Sequence, residues 1–316
     1  FSKRNFPRRQ VGKKMSEKII LLDGGMGQEL IKLSKSDPHP LWSTFVMLEE
    51  PNLVRKVHES YIQSGASVIT LNTYSTTPDR LEENGLYDKF SSLQTKAIDL
   101  AKSAIDNCGK DVLIAGCLPP LVWSYVPEKA PSFDKCVDLY LEIVRQQEKG
   151  VDLFICETMS SLKEAKAAVT AANTSKKDVW CAFSLEDNEK AELRSGEPLL
   201  SSVKEMQKIG QKKFLLNCSF PEAIDKGIEV MRNNCDHFGG YANGFTSIEP
   251  LKSASNVSVL EARKDLGPKE YAKHALGWAR NGASIVGGCC EIGPDHISHL
   301  HKVLVENDFQ IVSKIG

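Results

Sequence analysis

From Lys18 onward the chain repeats one unit eight times: a short aliphatic or β-branched run, a loop, then a longer stretch with helical periodicity. Such alternation predicts parallel strands with helices packed outside them. Candidate strands are 19–22, 67–72, 112–116, 153–156, 179–184, 213–217, 237–241 and 284–288. Eight parallel strands can close a barrel, and 316 residues suit one, the fold typically taking about 250 with room for insertions. The expectation is an α/β chain forming a single (β/α)8 TIM barrel over residues 15–316. An open doubly wound sheet is the rival that strand count alone leaves standing.

Boundary signals between the strands agree with this reading. Leu53, Val57 and Tyr61 share a helical face ahead of Gly65, and Phe133, Val137, Tyr140, Leu141 and Val144 do so ahead of Gly150. Ser161 and Glu164 have capping-box spacing. Pro221, Pro268 and Pro294 stand where a first-turn proline opens a helix. Internal repeats, low-complexity tracts and linkers are not evident.

A formal net charge of -1 gives no electrostatic reason to expect nucleic acid, so the expected partners are small molecules. Nine cysteines without a disulfide framework favour a reducing compartment, read as cytoplasmic, and leave thiols available for metal. No run approaches the roughly 18 apolar residues of a membrane span. Residues 1–14 carry Lys3, Arg4, Arg8, Arg9, Lys13 and Lys14 with no acid. They read as a disordered leader, or a non-native addition, ahead of Met15; a targeting role is the weaker reading because an apolar face is missing. Nothing in the sequence sets an oligomeric state.

In a parallel barrel the residues just past each strand face the substrate. Here they are Asp23, Asn72-Thr73, Cys117, Glu157, Leu185, Cys218, Asn243 and Cys289-Cys290. Cys218 alone would read as a small buried hydrophobe. The adjacent pair Cys289-Cys290 changes that reading: with Cys218 it supplies three thiols, a set that can hold Zn2+ with its fourth position open. Neighbouring strand residues point to opposite faces, so both sulfurs can meet one ion only if the chain leaves strand geometry, a bend that Gly287-Gly288 would permit.

Asp23-Gly24-Gly25-Met26-Gly27 is a glycine-rich turn matching neither dinucleotide nor Walker spacing. Its backbone N–H groups could hold a small carboxylate, or Asp23 could simply cap a helix. Glu157 could likewise cap or pair with a lysine. With Asp23 it could instead bind an ammonium group, and with the Gly24-Gly25 amides the set would take a free α-amino acid. Trp42, Phe45, Tyr74, Trp123 and Tyr125 fall in expected loops, where aromatic faces can attract a sulfonium or quaternary ammonium; Tyr74 is the first choice, with Trp42 and Phe45 beside it. His296, His299 and His301 read as a solvated helix face.

These motifs resemble those of the homocysteine S-methyltransferase family, the zinc- and thiol-dependent methyltransferases. The resemblance runs from about Ile20 to His301 and rests on Asp23-Gly24-Gly25-Met26-Gly27, Pro40-Leu41-Trp42-Ser43, Asn72-Thr73-Tyr74, Glu157-Thr158, Asn217-Cys218-Ser219, Tyr241-Ala242-Asn243 and Gly287-Gly288-Cys289-Cys290. It implies a (β/α)8 barrel, zinc ligands at Cys218, Cys289 and Cys290, and homocysteine-binding acids at Asp23 and Glu157. The implied reaction is methyl transfer to homocysteine, giving methionine. Gly116-Cys117-Leu118-Pro119-Pro120 departs from the family's commoner Gly-Ser…Gly-Pro-Tyr-Gly pattern, which leaves the donor open. S-methylmethionine is the donor preferred by resemblance, with S-adenosylmethionine also possible. The alternatives are a betaine-using enzyme and a non-catalytic zinc-storing or redox-sensing barrel.

Overall fold

The computed structural model describes residues 17–37, 39–252 and 259–315; the basic segment 1–14 and Met15 lie outside the described residues. Eight strands build the barrel: β1 (Glu17–Leu21), β2 (Val68–Thr70), β3 (Leu113–Leu118), β4 (Leu153–Met159), β5 (Asp178–Phe183), β6 (Lys213–Asn217), β7 (His237–Tyr241) and β8 (Ile285–Val286). From β2 to β8 each strand pairs in parallel with the next, and β8 pairs with β1. The ring closes where Leu22 bridges Val68, with the Ser67 N–H donating to Leu21 O at 2.8 Å. The structure is therefore the closed barrel and not the open sheet.

Around the barrel run α1 (Met26–Leu33), α2 (Trp42–Glu49), α3 (Pro51–Gln63), α4 (Pro78–Glu83), α5 (Phe90–Cys108), α6 (Phe133–Gln147), α7 (Leu162–Ala172), α8 (Leu199–Lys208), α9 (Pro221–Met231), α10 (Pro268–Arg280) and α11 (Pro294–Glu306). Pro221, Pro268 and Pro294 each open a helix, where a missing N–H costs nothing. Among the described residues no helix is long and apolar enough to cross a membrane.

Strand alternation sorts the core into two shells. Ile20, Leu22, Val68, Ala115, Leu153, Ile155, Trp180 and Leu215 fill the barrel interior. Their neighbours Ile19, Leu21, Ile69, Ile114, Phe154, Cys181 and Leu216 face the helices. Both strand faces are buried, which is why the strands read as continuous apolar runs. At about 25 cal/mol per Å² of buried apolar surface, this double burial is the main stabilising term.

Three expectations need correction. A ninth strand, β9 (Phe309–Ile311), pairs in parallel with Glu17–Ile19, and Val312 and Ile315 beyond it pack against the interior shell. Trp42 and Phe45, expected in a loop, belong to α2, whose apolar residues form no one-sided stripe to betray a helix. The Ser161 cap forms, accepting from the Glu164 N–H at 3.3 Å, but its reciprocal half does not. The Glu164 carboxylate accepts instead from Leu121 N–H and Tyr140 OH, at 3.0 and 3.2 Å, tying α7 to the β3 loop.

Candidate active site

The C-terminal mouth of the barrel is a cleft of roughly 840 Å³, its opening included, lined by Asp23, Trp42, Tyr74, Glu157, Cys218 and Cys289-Cys290 among others. Cys218 follows β6 directly. Its φ of +51° is a left-handed conformation uncommon for a residue with a Cβ, and it takes the chain out of strand geometry. Flanking bonds hold that turn. Asn217 accepts from Thr158 N–H and donates to Thr158 Oγ1. The buried Arg194 guanidinium donates to Cys218 O at 3.2 Å and to Ser184 Oγ at 2.8 Å, pairs with Asp187, and lies over the Tyr125 ring.

Cys289 and Cys290 lie past β8, which ends at Val286, so the chain does leave the strand before the pair. The glycines ahead of them serve a different purpose from the bend expected. Neither has a positive φ; a Cβ at Gly287 would lie 2.5 Å from the Leu22 side chain, and one at Gly288 2.3 Å from Ile292. Gly287 packs this turn closely onto the end of β1, and Gly288 packs it onto Ile292. The left-handed residue is Glu291, at φ +65°.

The three sulfurs meet at one point. Cys218 Sγ is 2.6 Å from Cys289 Sγ and 3.8 Å from Cys290 Sγ, and all three lie within 4.8 Å of one another. Three ligand atoms this close could hold a metal ion, and no other such group is found among the described residues. The Tyr125 hydroxyl donates to Cys218 Sγ at 3.1 Å. Hydrogen bonds from Cys289 and Cys290, then Tyr125, hold the Cys218 thiol well below its ordinary value, while sharing with Cys218 pushes Cys289 and Cys290 up.

Two carboxylates occupy the same cleft. Asp23 is buried and accepts from the Thr70 N–H at 2.8 Å. Glu157 continues the inward alternation of Leu153 and Ile155, just where β4 departs from regular register against β5. It accepts from the Cys117 thiol at 2.9 Å and from Tyr241 OH at 3.4 Å. Burial raises Asp23 to about 8, helped by repulsion from Glu157, and burial raises Glu157 to about 7. Among the described residues no cation is paired with either acid, so the pair could receive one.

The glycine turn after Asp23 needs a correction. The Gly25 N–H donates to Ile292 O at 2.9 Å and is not free for a carboxylate. Cβ atoms at Gly24 and Gly25 would lie 2.0 Å from Ile292 O and 2.6 Å from Cys289 O, so close backbone approach explains these glycines. Both still line the cleft, as does the first turn of α1 through Met26, Gly27 and Gln28.

Of the aromatic candidates, Trp42 and Tyr74 line the cleft with rings stacked at 6.2 Å and 7°. Phe45 is not brought to it; its ring stacks on His39 at 4.3 Å. His296 lies on α11 with both ring nitrogens engaged, by Gly293 N and Leu266 O. Thr70, Arg194 and the Tyr125 contact were not legible in the sequence. The first is one polar residue in a strand, and the others reach Cys218 only through the folded loops.

A closed parallel barrel whose mouth gathers three thiols and two carboxylates in one cleft has the layout of an enzyme active site. The homocysteine S-methyltransferase family model matches residues 20–304, and the chain belongs to that family of methyltransferases. It is similar to homocysteine S-methyltransferase YbgG of Bacillus subtilis, 25% identical over 302 residues covering 89% of this chain and 93% of the relative. It is also similar to homocysteine S-methyltransferase of Escherichia coli, 26% identical over 306 residues covering 89% and 94%. The metallated form of the homocysteine methyltransferase MmuM from Escherichia coli shares the fold, with a TM-score of 0.76 at 24% identity, covering 91% of this chain and 96% of that one.

Proposed function

We propose that this protein transfers a methyl group from a sulfonium donor, S-methylmethionine in preference to S-adenosylmethionine, to the sulfur of homocysteine. The observation that carries this is the meeting of Cys218, Cys289 and Cys290 within 4.8 Å in the cleft that also holds Asp23 and Glu157. Three thiols that meet within 4.8 Å are a donor set suited to Zn2+. Bound by these cysteines, the ion would supply Lewis acidity that favours thiolate over thiol at neutral pH.

The chain's own residues do the rest. Asp23 and Glu157 bind the homocysteine ammonium, and each gains a cation that its buried position lacks. The acceptor sulfur is thereby turned toward the three cysteines and loses its proton to solvent. The Trp42 and Tyr74 rings accommodate the donor sulfonium. Acceptor sulfur forms the new S–CH3 bond with its lone pair as the donor S–CH3 bond breaks, its electron pair remaining on the donor sulfur. The leaving group is a neutral thioether, so no general acid is required, and the protein's contribution is alignment in a water-poor cleft. Residues 15–316 act as one unit in this reading. Nine free cysteines suit the reducing cytoplasm.

The test is to incubate zinc-loaded protein with homocysteine and, separately, S-methylmethionine, S-adenosylmethionine or betaine, and to measure methionine. Turnover with the sulfonium donors and not betaine is expected. No methionine from any donor would overturn the enzymatic reading and leave a metal-storing barrel.

A further inference from the structure

A second cavity adjoins the thiol cleft and shares Trp42, Ser124 and Leu251 with it. Seven side-chain N or O atoms among the described residues are buried without a hydrogen-bond partner, and three of them belong to the walls of this cavity: Trp42 Nε1, Arg80 Nε and Trp123 Nε1. All three are N–H donors, so what the cavity lacks is an acceptor.

Arg80 carries the strongest demand. It projects from α4, makes one hydrogen bond, from Nη2 to Pro120 O at 3.1 Å, and lies over the Tyr74 ring at 5.5 Å. No carboxylate lies within ion-pair distance of it among the described residues. Glu83 also lines the cavity, but from the exposed rim. A guanidinium stays charged, and the acid whose charge does reach it, Glu164, is beyond ion-pair distance and already accepts from Leu121 N–H and Tyr140 OH, so Arg80 lacks a direct counter-anion. Lys129 adds a second cation over the Trp123 ring at 4.6 Å. Pro120, which anchors Arg80, ends the Cys117–Pro120 segment that departs from the commoner family sequence.

We propose that this cavity receives the carboxylate of the methyl donor, with Arg80 as the residue that selects and orients it and the Trp42 and Trp123 N–H groups completing the acceptor's hydrogen bonds. The planar fork of Arg80 matches a carboxylate, and its ring contact joins it to the aromatic pair at the sulfonium. The donor is then bound at two points, its sulfonium on Tyr74 and Trp42 and its carboxylate on Arg80. The proposal rests on the methyl-transfer reading and adds which residue of this chain recognises the donor's carboxylate.

The test uses full-length zinc-loaded protein and its Arg80→Met and Trp123→Phe variants, each checked for metal content and thermal unfolding. Binding of S-methylmethionine is measured by calorimetry, and KM is measured for homocysteine, S-methylmethionine and the carboxylate-free analogue (3-aminopropyl)dimethylsulfonium. Loss of a charge-assisted contact corresponds to roughly 10- to 100-fold. Arg80→Met is expected to weaken S-methylmethionine by that factor, Trp123→Phe by less, while the homocysteine KM moves less than about twofold and the analogue shows no Arg80-dependent loss. The proposal is overturned if wild-type protein turns over while Arg80→Met leaves donor affinity within twofold, or if the variant weakens both donors equally. Arg80-dependent binding of sulfate or acetate that leaves donor binding untouched would make this an unrelated anion site, and also overturns it. Absence of both turnover and donor binding in the wild type would sink the underlying reading instead, and this proposal with it.

Discussion

The Cys117 thiol donates to Glu157 Oε1 at 2.9 Å, so a residue of β3 orients the carboxylate that β4 presents to the cleft. Burial and the negative charge of Glu157 push this thiol well above its ordinary value, which keeps it protonated and able to donate. Cys117→Ala should leave Glu157 with the weaker bond from Tyr241 OH and raise the homocysteine KM by roughly 3- to 10-fold. Cys117→Ser keeps a donor and should stay within about threefold of wild type. Steady-state kinetics at fixed donor concentration would read both.

The two acids make stability depend on pH. Asp23 moves from 3.8 to about 8 and Glu157 from 4.5 to about 7, chiefly through burial. Both folded-state values are raised, so the folded state holds more protons, and ligand-free stability falls as pH rises from about 4 toward 8. Asp23→Asn and Glu157→Gln should each flatten that decline in thermal unfolding between pH 5 and 8. If, as proposed, the ionised acids bind the homocysteine ammonium, homocysteine should protect the wild type more at pH 8 than at pH 6, and the variants much less. A wild-type unfolding temperature that rises over this range would contradict the burial of these acids.

Removing any one of the three thiols should cost the metal. Cys218→Ser, Cys289→Ser and Cys290→Ser should each reduce retained zinc after dialysis from near one per chain to a small fraction, alongside an affinity loss above roughly tenfold. Elemental analysis checks this without reference to turnover. Full zinc in Cys218→Ser would refute the ligand set.

Gly25→Ala tests the packing between the first and last strand ends. Its Cβ would meet Cys289 O at 2.6 Å and the Cys290 Cα at 3.0 Å, backbone atoms that cannot rotate aside. We expect a loss of about 1–3 kcal/mol, the usual cost of overpacking, together with weakened zinc retention. Gly27→Ala, with only Ser43 Oγ at 4.0 Å, should be close to neutral in both measurements. Denaturant unfolding of the two variants side by side separates a local clash from general glycine loss.

Arg194 supports Cys218 through its carbonyl and through Tyr125. Arg194→Met removes the bond that steadies a residue at φ +51°, so zinc retention should drop severalfold while homocysteine protection against unfolding at pH 8 survives. Metal content and ligand-induced thermal shift, measured on one preparation, decide it.

The strand runs, the helix-opening prolines, the capping serine at 161 and the positions of Asp23, Glu157, Cys218, Cys289 and Cys290 were all determined by the sequence, because parallel strands buried on both faces and first-turn prolines leave local signatures. The barrel's order then brought these strand ends to one mouth. What only the tertiary structure decided are the relations made across elements. Leu22 closes onto Val68, Gly25 gives its N–H to Ile292, Phe45 turns away to His39, and Arg80 Nε is left without a hydrogen-bond partner in a cavity wall that also holds two unpartnered tryptophan N–H groups. Each depends on the distance between segments far apart in the chain, and periodicity within a segment carries no information about what will lie opposite it.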